Sequence, residues 1–186
     1  MIMKKRCSWV NLNNPLYVKY HDEEWGRPLH DDQALYELLI LESFQAGLSW
    51  ECVLNKREAF RTAFDGFEID KICAYDEPKQ QALLQNAGII RNRLKIKAAI
   101  QNSLIFKEIQ REFGSFDRYI LGFSDGKILR EPFTERTTSP LSDAISKDLK
   151  QRGMTFVGSV IIYSYLQAIG VIYSHDKGCY LHKIAE

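Results

Sequence analysis

Cys7 and His21 lie near one end of the chain, and His175 and Cys179 near the other. Thiolate and imidazole together suit Zn2+, and two of each close a tetrahedral site with no position left open for substrate. His175 and Cys179 are spaced to chelate from one turn or loop, whereas Cys7 and His21 would have to arrive from the far end. An ion held by all four would pin the two ends together. Spacing alone leaves alternatives open. Cys179-x-x-His182 is also a chelating pair, and the four residues could equally be plain thiols and surface imidazoles. No H-E-x-x-H occurs, which argues against a zinc hydrolase. Cys52 and Cys73 fall inside helical patterns and read as core.

A second chemical feature is a single carboxylate in an apolar run, Glu42 in "LLILESFQAGLSW", residues 38–50. Leu35, Leu38, Leu39 and Glu42 follow the i, i+3, i+4, i+7 spacing of a buried helix face. A charge on that face is costly unless something satisfies it, whether a buried arginine, a neighbouring helix end or a ligand. Two further segments read as helix, glycine turn, helix. One is residues 83–100, with Arg91, Arg93, Lys95 and Lys97 after the turn; the other is 149–168, where Gly153 and Gly158 bracket a short hairpin. A helix start presents free N–H groups and a positive dipole end to phosphate. Each segment taken alone is equally an ordinary corner with a solvated basic face.

The elements that must position these residues are helical almost throughout. Apolar periodicity predicts helices near 32–45, 50–64, 68–75, 78–87, 91–112, 115–121, 141–152 and 158–170, and the fold class is all-α. Ser49 reads as an N-cap, and Gly88, Gly114 and Gly153 read as left-handed C-cap residues. Residues 134–140 are polar and turn-rich, a loop. With 186 residues, 45% hydrophobic and 26% charged, the chain suits one soluble domain, 1–186, or two lobes sharing a core. Lys+Arg 25 against Asp+Glu 24 leaves +1, so any phosphate-binding surface is a local patch. No apolar run reaches the roughly 18 residues of a membrane span, and no signal peptide is visible, so the expected location is cytoplasmic with reduced thiols.

Taken together, "RCSWV", "PLYVKYHDEEWG", "LESFQAGLSW", "NAGIIRNRLKI", "SKDLKQRGMTFVG" and "HDKGC" resemble the DNA-3-methyladenine glycosylase I family, a zinc-containing branch of the helix-hairpin-helix DNA glycosylases. The stretches run from residue 6 to 179 in one order; residues 122–139 match weakly, and Thr155 stands where the family carries a larger residue. The resemblance implies a structural Zn2+ on Cys7, His21, His175 and Cys179, which sets His182 aside. It implies a base pocket of Tyr20, Glu42 and Trp50, with Glu42 the catalytic carboxylate, while Trp9 and Trp25 stay with the core. Gly47 and Leu48 would enter the duplex, and Gly153 and Gly158 would contact its backbone. The implied partners are double-stranded alkylated DNA and free 3-methyladenine as product, with no membrane and one copy acting alone. The implied reaction is hydrolysis without strand cleavage, since cleavage needs an amine nucleophile and residues 38–50 hold no lysine. Asp176, roughly where the broader superfamily has a catalytic aspartate, sits between two proposed metal ligands and reads as incidental.

Overall fold

The computed structural model describes residues 4–131 and 136–182. Ten α-helices carry the described chain: α1 (Pro15–Glu23), α2 (Asp32–Gln45), α3 (Trp50–Leu54), α4 (Arg57–Ala63), α5 (Ile69–Cys73), α6 (Glu77–Gln85), α7 (Arg93–Phe113), α8 (Phe116–Gly122), α9 (Pro140–Gln151) and α10 (Ser159–Ala168). The two strands, β1 (Leu129–Arg130) and β2 (Ile172–Tyr173), form one short parallel pairing with Leu129 opposite Ile172. The all-α expectation is borne out, and a single hydrophobic cluster runs from Cys7 to Leu181.

α2 is the hub. Its residues from Leu35 to Phe44 are all buried, and it packs on α3, α7, α8 and α10. A helix apolar on every side is a core helix rather than an amphipathic one. The one-face reading of 35–42 therefore understates its burial. Asp31 caps the start of α2, accepting from the Ala34 N–H.

Three expectations need correction. The helix at 50–64 is two helices, α3 and α4, because Lys56 leaves helical geometry and its side chain reaches across to the Gly88 carbonyl at 3.2 Å. Asn55 at that break accepts from the Asn14 side chain at 2.9 Å, so tertiary bonds outweigh a continuous period. Gly114 and Gly153 do adopt left-handed φ, +86° and +100°, but Gly88 does not. At Gly88 a Cβ would press on Asn86 and Ala59, so close packing rather than turn geometry calls for glycine there. Cys52 and Cys73 are half-buried on short helices rather than in the core. The expected loop at 134–140 lies partly outside the described residues; from 136 to the N-cap Ser139 it is irregular.

One helix escaped the periodicity. α1 has a weak apolar stripe, but Asn14 accepts from the N–H groups of Leu16 and Tyr17, and Pro15 opens the first turn. That Asn-Pro start was the legible signal. α1 matters because it delivers Tyr20 and His21, adjacent in sequence, to two different sites.

Candidate base pocket and metal centre

The two glutamates of α2 meet opposite fates. Glu37 accepts from Arg57 Nε at 2.5 Å and from Arg61 at 3.0 Å. Five residues further on, Glu42 is 3% exposed, and among the described residues its Oε2 has no hydrogen-bond partner and no arginine pairs with it. Burial alone pushes its carboxyl up to about 8. The arginine or helix-cap answers to its isolation therefore fail, and it opens on a cavity.

That cavity, about 140 Å3, is lined by Trp9, Tyr17, Tyr20, Trp25, Glu42 and Trp50, with Gln45, Ser164 and Gln167 completing it. Its size suits one planar heterocycle. Tyr20 and Trp50 stand with ring centroids 5.3 Å apart, tilted by 45°. Trp50 Nε1 is a second buried group with no partner among the described residues. One unpaired acceptor and one unpaired donor thus share a small aromatic cavity, a combination that costs free energy until a ligand completes it. The structure brings Tyr20, Glu42 and Trp50, grouped by the resemblance, together on this cavity. Sequence reasoning missed Trp9 and Trp25, which were left to the core, and it missed Tyr17, Gln45, Ser164 and Gln167. Trp25 also lines a larger cavity of about 610 Å3 with Arg27, Pro28 and Tyr173, but none of the unpartnered buried groups lies there.

The aromatic wall continues into a second cluster. Trp9 packs edge-on to His21 at 5.3 Å, and Trp25 to His175 at 4.7 Å. The ligand atoms of Cys7, His21, His175 and Cys179 all lie within 4.8 Å of one another, and all four residues are buried. Cys7 Sγ is 3.3 Å from His175 Nδ1, and Cys179 Sγ is 3.4 Å from His21 Nε2. These are the edge lengths of a tetrahedron built on metal–sulfur bonds of about 2.3 Å and metal–nitrogen bonds of about 2.0 Å. The other His21 nitrogen, Nδ1, meets Asp22 at 2.8 Å, and Arg6 holds Asp22 with contacts of 2.8 and 2.7 Å. Such a carboxylate fixes the ring's tautomer and points Nε2 at an ion. Burial pushes the Cys7 thiol up and brings His175 down to about 4. A cation in the cluster reverses the thiol preference by favouring thiolate. The donor set fits a closed metal site. His182 lies outside it, bonding through Nδ1 to the His175 carbonyl at 2.9 Å. Asp176 takes the Ser8 N–H at 2.6 Å and is not among the pocket-lining residues.

Between Glu42 and Trp50 the chain makes a tight turn. The Leu48 N–H donates to the Gln45 carbonyl at 2.6 Å, with Ala46 at φ −46°, ψ 115° and Gly47 at φ +79°. This is type II geometry, which needs glycine at its third position. Leu48 stands at its edge, 43% exposed. Ser49 then caps α3, as expected, so Trp50 begins the next helix.

The hairpin after α9 is firmly braced. Gly153 closes α9, and the Met154 N–H reaches the Leu149 carbonyl at 2.9 Å. Asn102 on α7 exchanges two hydrogen bonds with the Thr155 backbone, at 2.9 and 3.0 Å. Ser146 donates to the Val157 carbonyl at 2.7 Å. Gly158 is the N-cap of α10 with φ −60°, no side-chain cap, and nothing within 4 Å of where a Cβ would stand. Neither backbone conformation nor internal packing requires glycine there. A surface that keeps Gly158 bare suits close approach by an outside group.

Solved structures place this architecture. A crystal structure of 3-methyladenine DNA glycosylase I superposes with a TM-score of 0.91 at 43% identity, covering 96% of this chain and 100% of that one. A variant of the same enzyme type, in complex with 3-methyladenine, superposes at 0.86 with 34% identity over 90% of this chain and 92% of that one. The fold is therefore that of a helix-hairpin-helix DNA glycosylase. The "DNA-3-methyladenine glycosylase 1" of Escherichia coli (strain K12) is 42% identical, covering 94% of this chain and 95% of that protein. The profile described as methyladenine glycosylase matches residues 9–182, and the chain belongs to that family.

Proposed function

We propose that this chain is a monofunctional glycosylase that extrudes 3-methyladenine from alkylated duplex DNA and hydrolyses its N-glycosidic bond. The observation that carries the reading is the pair of unsatisfied groups, Glu42 Oε2 and Trp50 Nε1, in an aromatic cavity the size of one base. An adenine edge carries an amino donor beside a ring-nitrogen acceptor, the complement of that pair. Methylation at N3 makes the base in DNA cationic, and that charge beside Glu42 draws its raised carboxyl back down, leaving the catalytic carboxylate that favours the cation. The rings of Tyr20 and Trp50 add a cation–π contribution of roughly 0.5–2 kcal/mol. Unmodified adenine is neutral and gains neither.

The target bond is inaccessible in stacked DNA, so the nucleotide must leave the helix at a cost of a few kcal/mol. Leu48, carried on the Gly47 turn, fills the gap, while Gly153, Gly158 and the free N–H groups at the start of α10 anchor the backbone. As the bond breaks, its electron pair goes to the departing base, which becomes neutral; water supplies hydroxide to C1′ and gives a proton to solvent. A cationic leaving group needs little general-acid help, and tighter binding of the departing base supplies the acceleration. Cys7, His21, His175 and Cys179 would hold one structural Zn2+, which takes no part in the reaction. The chain acts as one helical domain, two lobes sharing one core, with that site pinning residues 7–21 to 175–179. No helix among the described residues is long and apolar enough to cross a membrane.

Incubating the protein with methylated duplex DNA and identifying the released bases tests this. Free 3-methyladenine and an abasic strand cut only after alkali are expected. Binding without base release would leave a damage-binding module, and strand cleavage without alkali would overturn the monofunctional assignment.

A further inference from the structure

Lys95 is the buried cation that the glycosylase reading does not use. It sits in the first turn of α7, where the Asn92 side chain accepts its N–H at 3.1 Å. In the sequence it stands with Arg91, Arg93 and Lys97 after the turn, a basic group open to phosphate or to solvent. The structure corrects this: those three are exposed, and Lys95 is 6% exposed. Its ammonium turns inward and donates to two backbone carbonyls, Phe44 at 2.8 Å and Ala46 at 2.6 Å. Burial holds its amine below the usual lysine range. No ion pair to a carboxylate compensates it among the described residues. Two carbonyl dipoles at a helix C-terminus are what stabilise the charge.

Those carbonyls belong to the end of α2 and to the type II turn that carries Leu48. The ammonium also lies 5.9 Å from the centre of the Phe156 ring, in the hairpin that follows α9. Two helical turns along α7, Asn102 grips that same hairpin through Thr155. Seven residues of helix span about 10 Å and return to the same face. α7 thus holds the wedge turn with one side chain and the phosphate-facing hairpin with another.

We propose that Lys95 is a positioning residue that sets the 45–48 turn relative to the 153–158 hairpin, so that Leu48 and the hairpin engage one duplex together. This rests on the glycosylase reading above. Its lysine is not the amine nucleophile of a strand-cleaving enzyme, because both carbonyls hold it and it is not among the pocket-lining residues. Nor is it a phosphate ligand, being shielded from solvent.

The test uses Lys95→Met in the metal-loaded protein. Excision is measured on a methylated oligonucleotide as a duplex and as a single strand, where no stacked pair has to be opened. The duplex rate should fall about 30-fold, the equivalent of two carbonyl hydrogen bonds lost from the turn. The single-strand rate should fall by roughly threefold or less, and affinity for free 3-methyladenine should not change. The salt dependence of duplex binding should keep its slope, whereas losing a phosphate contact would lower it by about one. Equal losses on both substrates, no loss on either, or a reduced salt slope would overturn the proposal. Should Lys95→Met not fold, Lys95→Ala, which removes both donated bonds, carries the same comparison with the same outcomes. A parental protein that releases no base from either substrate would instead sink the glycosylase reading.

Discussion

Glu42 carries a penalty that only a ligand removes, and this makes its behaviour with pH checkable. Its carboxyl is raised in the folded chain from 4.5 to about 8, so the native state keeps a proton that the unfolded state gives up at lower pH. Its contribution to stability is complete below pH 4.5 and is lost as pH rises toward 8, with a ceiling of about 5 kcal/mol. Glu42→Gln should flatten that decline, as followed by denaturant unfolding at pH 5 and pH 8. The same variant should release 3-methyladenine at least about 100-fold more slowly, since an amide offers the cation no charge. Parental release by Glu42→Gln would remove the carboxylate from the mechanism. Glu37 shows what the alternative looks like: a carboxylate on the same helix, satisfied by Arg57 and Arg61, with nothing left over for a substrate.

Elements act here as mounts. α1 sends Tyr20 to the pocket and His21 to the metal cluster from consecutive positions, and the α2–α3 turn lifts Leu48 between Glu42 and Trp50. Gly47→Ala meets no neighbour but must hold φ +79°, which should cost about 1 kcal/mol of stability and slow excision from duplex more than from single strands. Gly158→Ala meets neither strain nor neighbour inside the protein. Its unfolding midpoint should therefore barely move, while duplex affinity weakens about tenfold as the added methyl blocks backbone approach. Unchanged duplex affinity, measured by titration at fixed salt, would take Gly158 out of the DNA contact. The helices themselves were largely legible, because apolar period and capping residues are local signals. The break between α3 and α4 was not, since it depends on Asn14 and Gly88, far away in sequence.

Across the whole molecule, the Cys7, His21, His175 and Cys179 cluster joins the first and last described segments and backs the pocket through Trp9 and Trp25. Removing the ion by chelation, or changing Cys7 or Cys179 to serine, should abolish the one-to-one zinc content. Stability should fall by several kcal/mol of the roughly 10 available to such sites. Free-base binding should weaken as well, because the tryptophans that line the cavity rest on the ligands. Full zinc stoichiometry in either serine variant would refute the ligand set. Cysteine, histidine and a lone acid among leucines stand out in the sequence by type, but their spacing left alternatives open. The family resemblance was what grouped Cys7, His21, His175 and Cys179, and Tyr20, Glu42 and Trp50, into two sites. What no local pattern contained was which of two glutamates would find arginines, which of four basic residues would turn inward, and which tryptophans would face a cavity. Burial and pairing are properties of contacts between distant segments, and only the packed chain decides them.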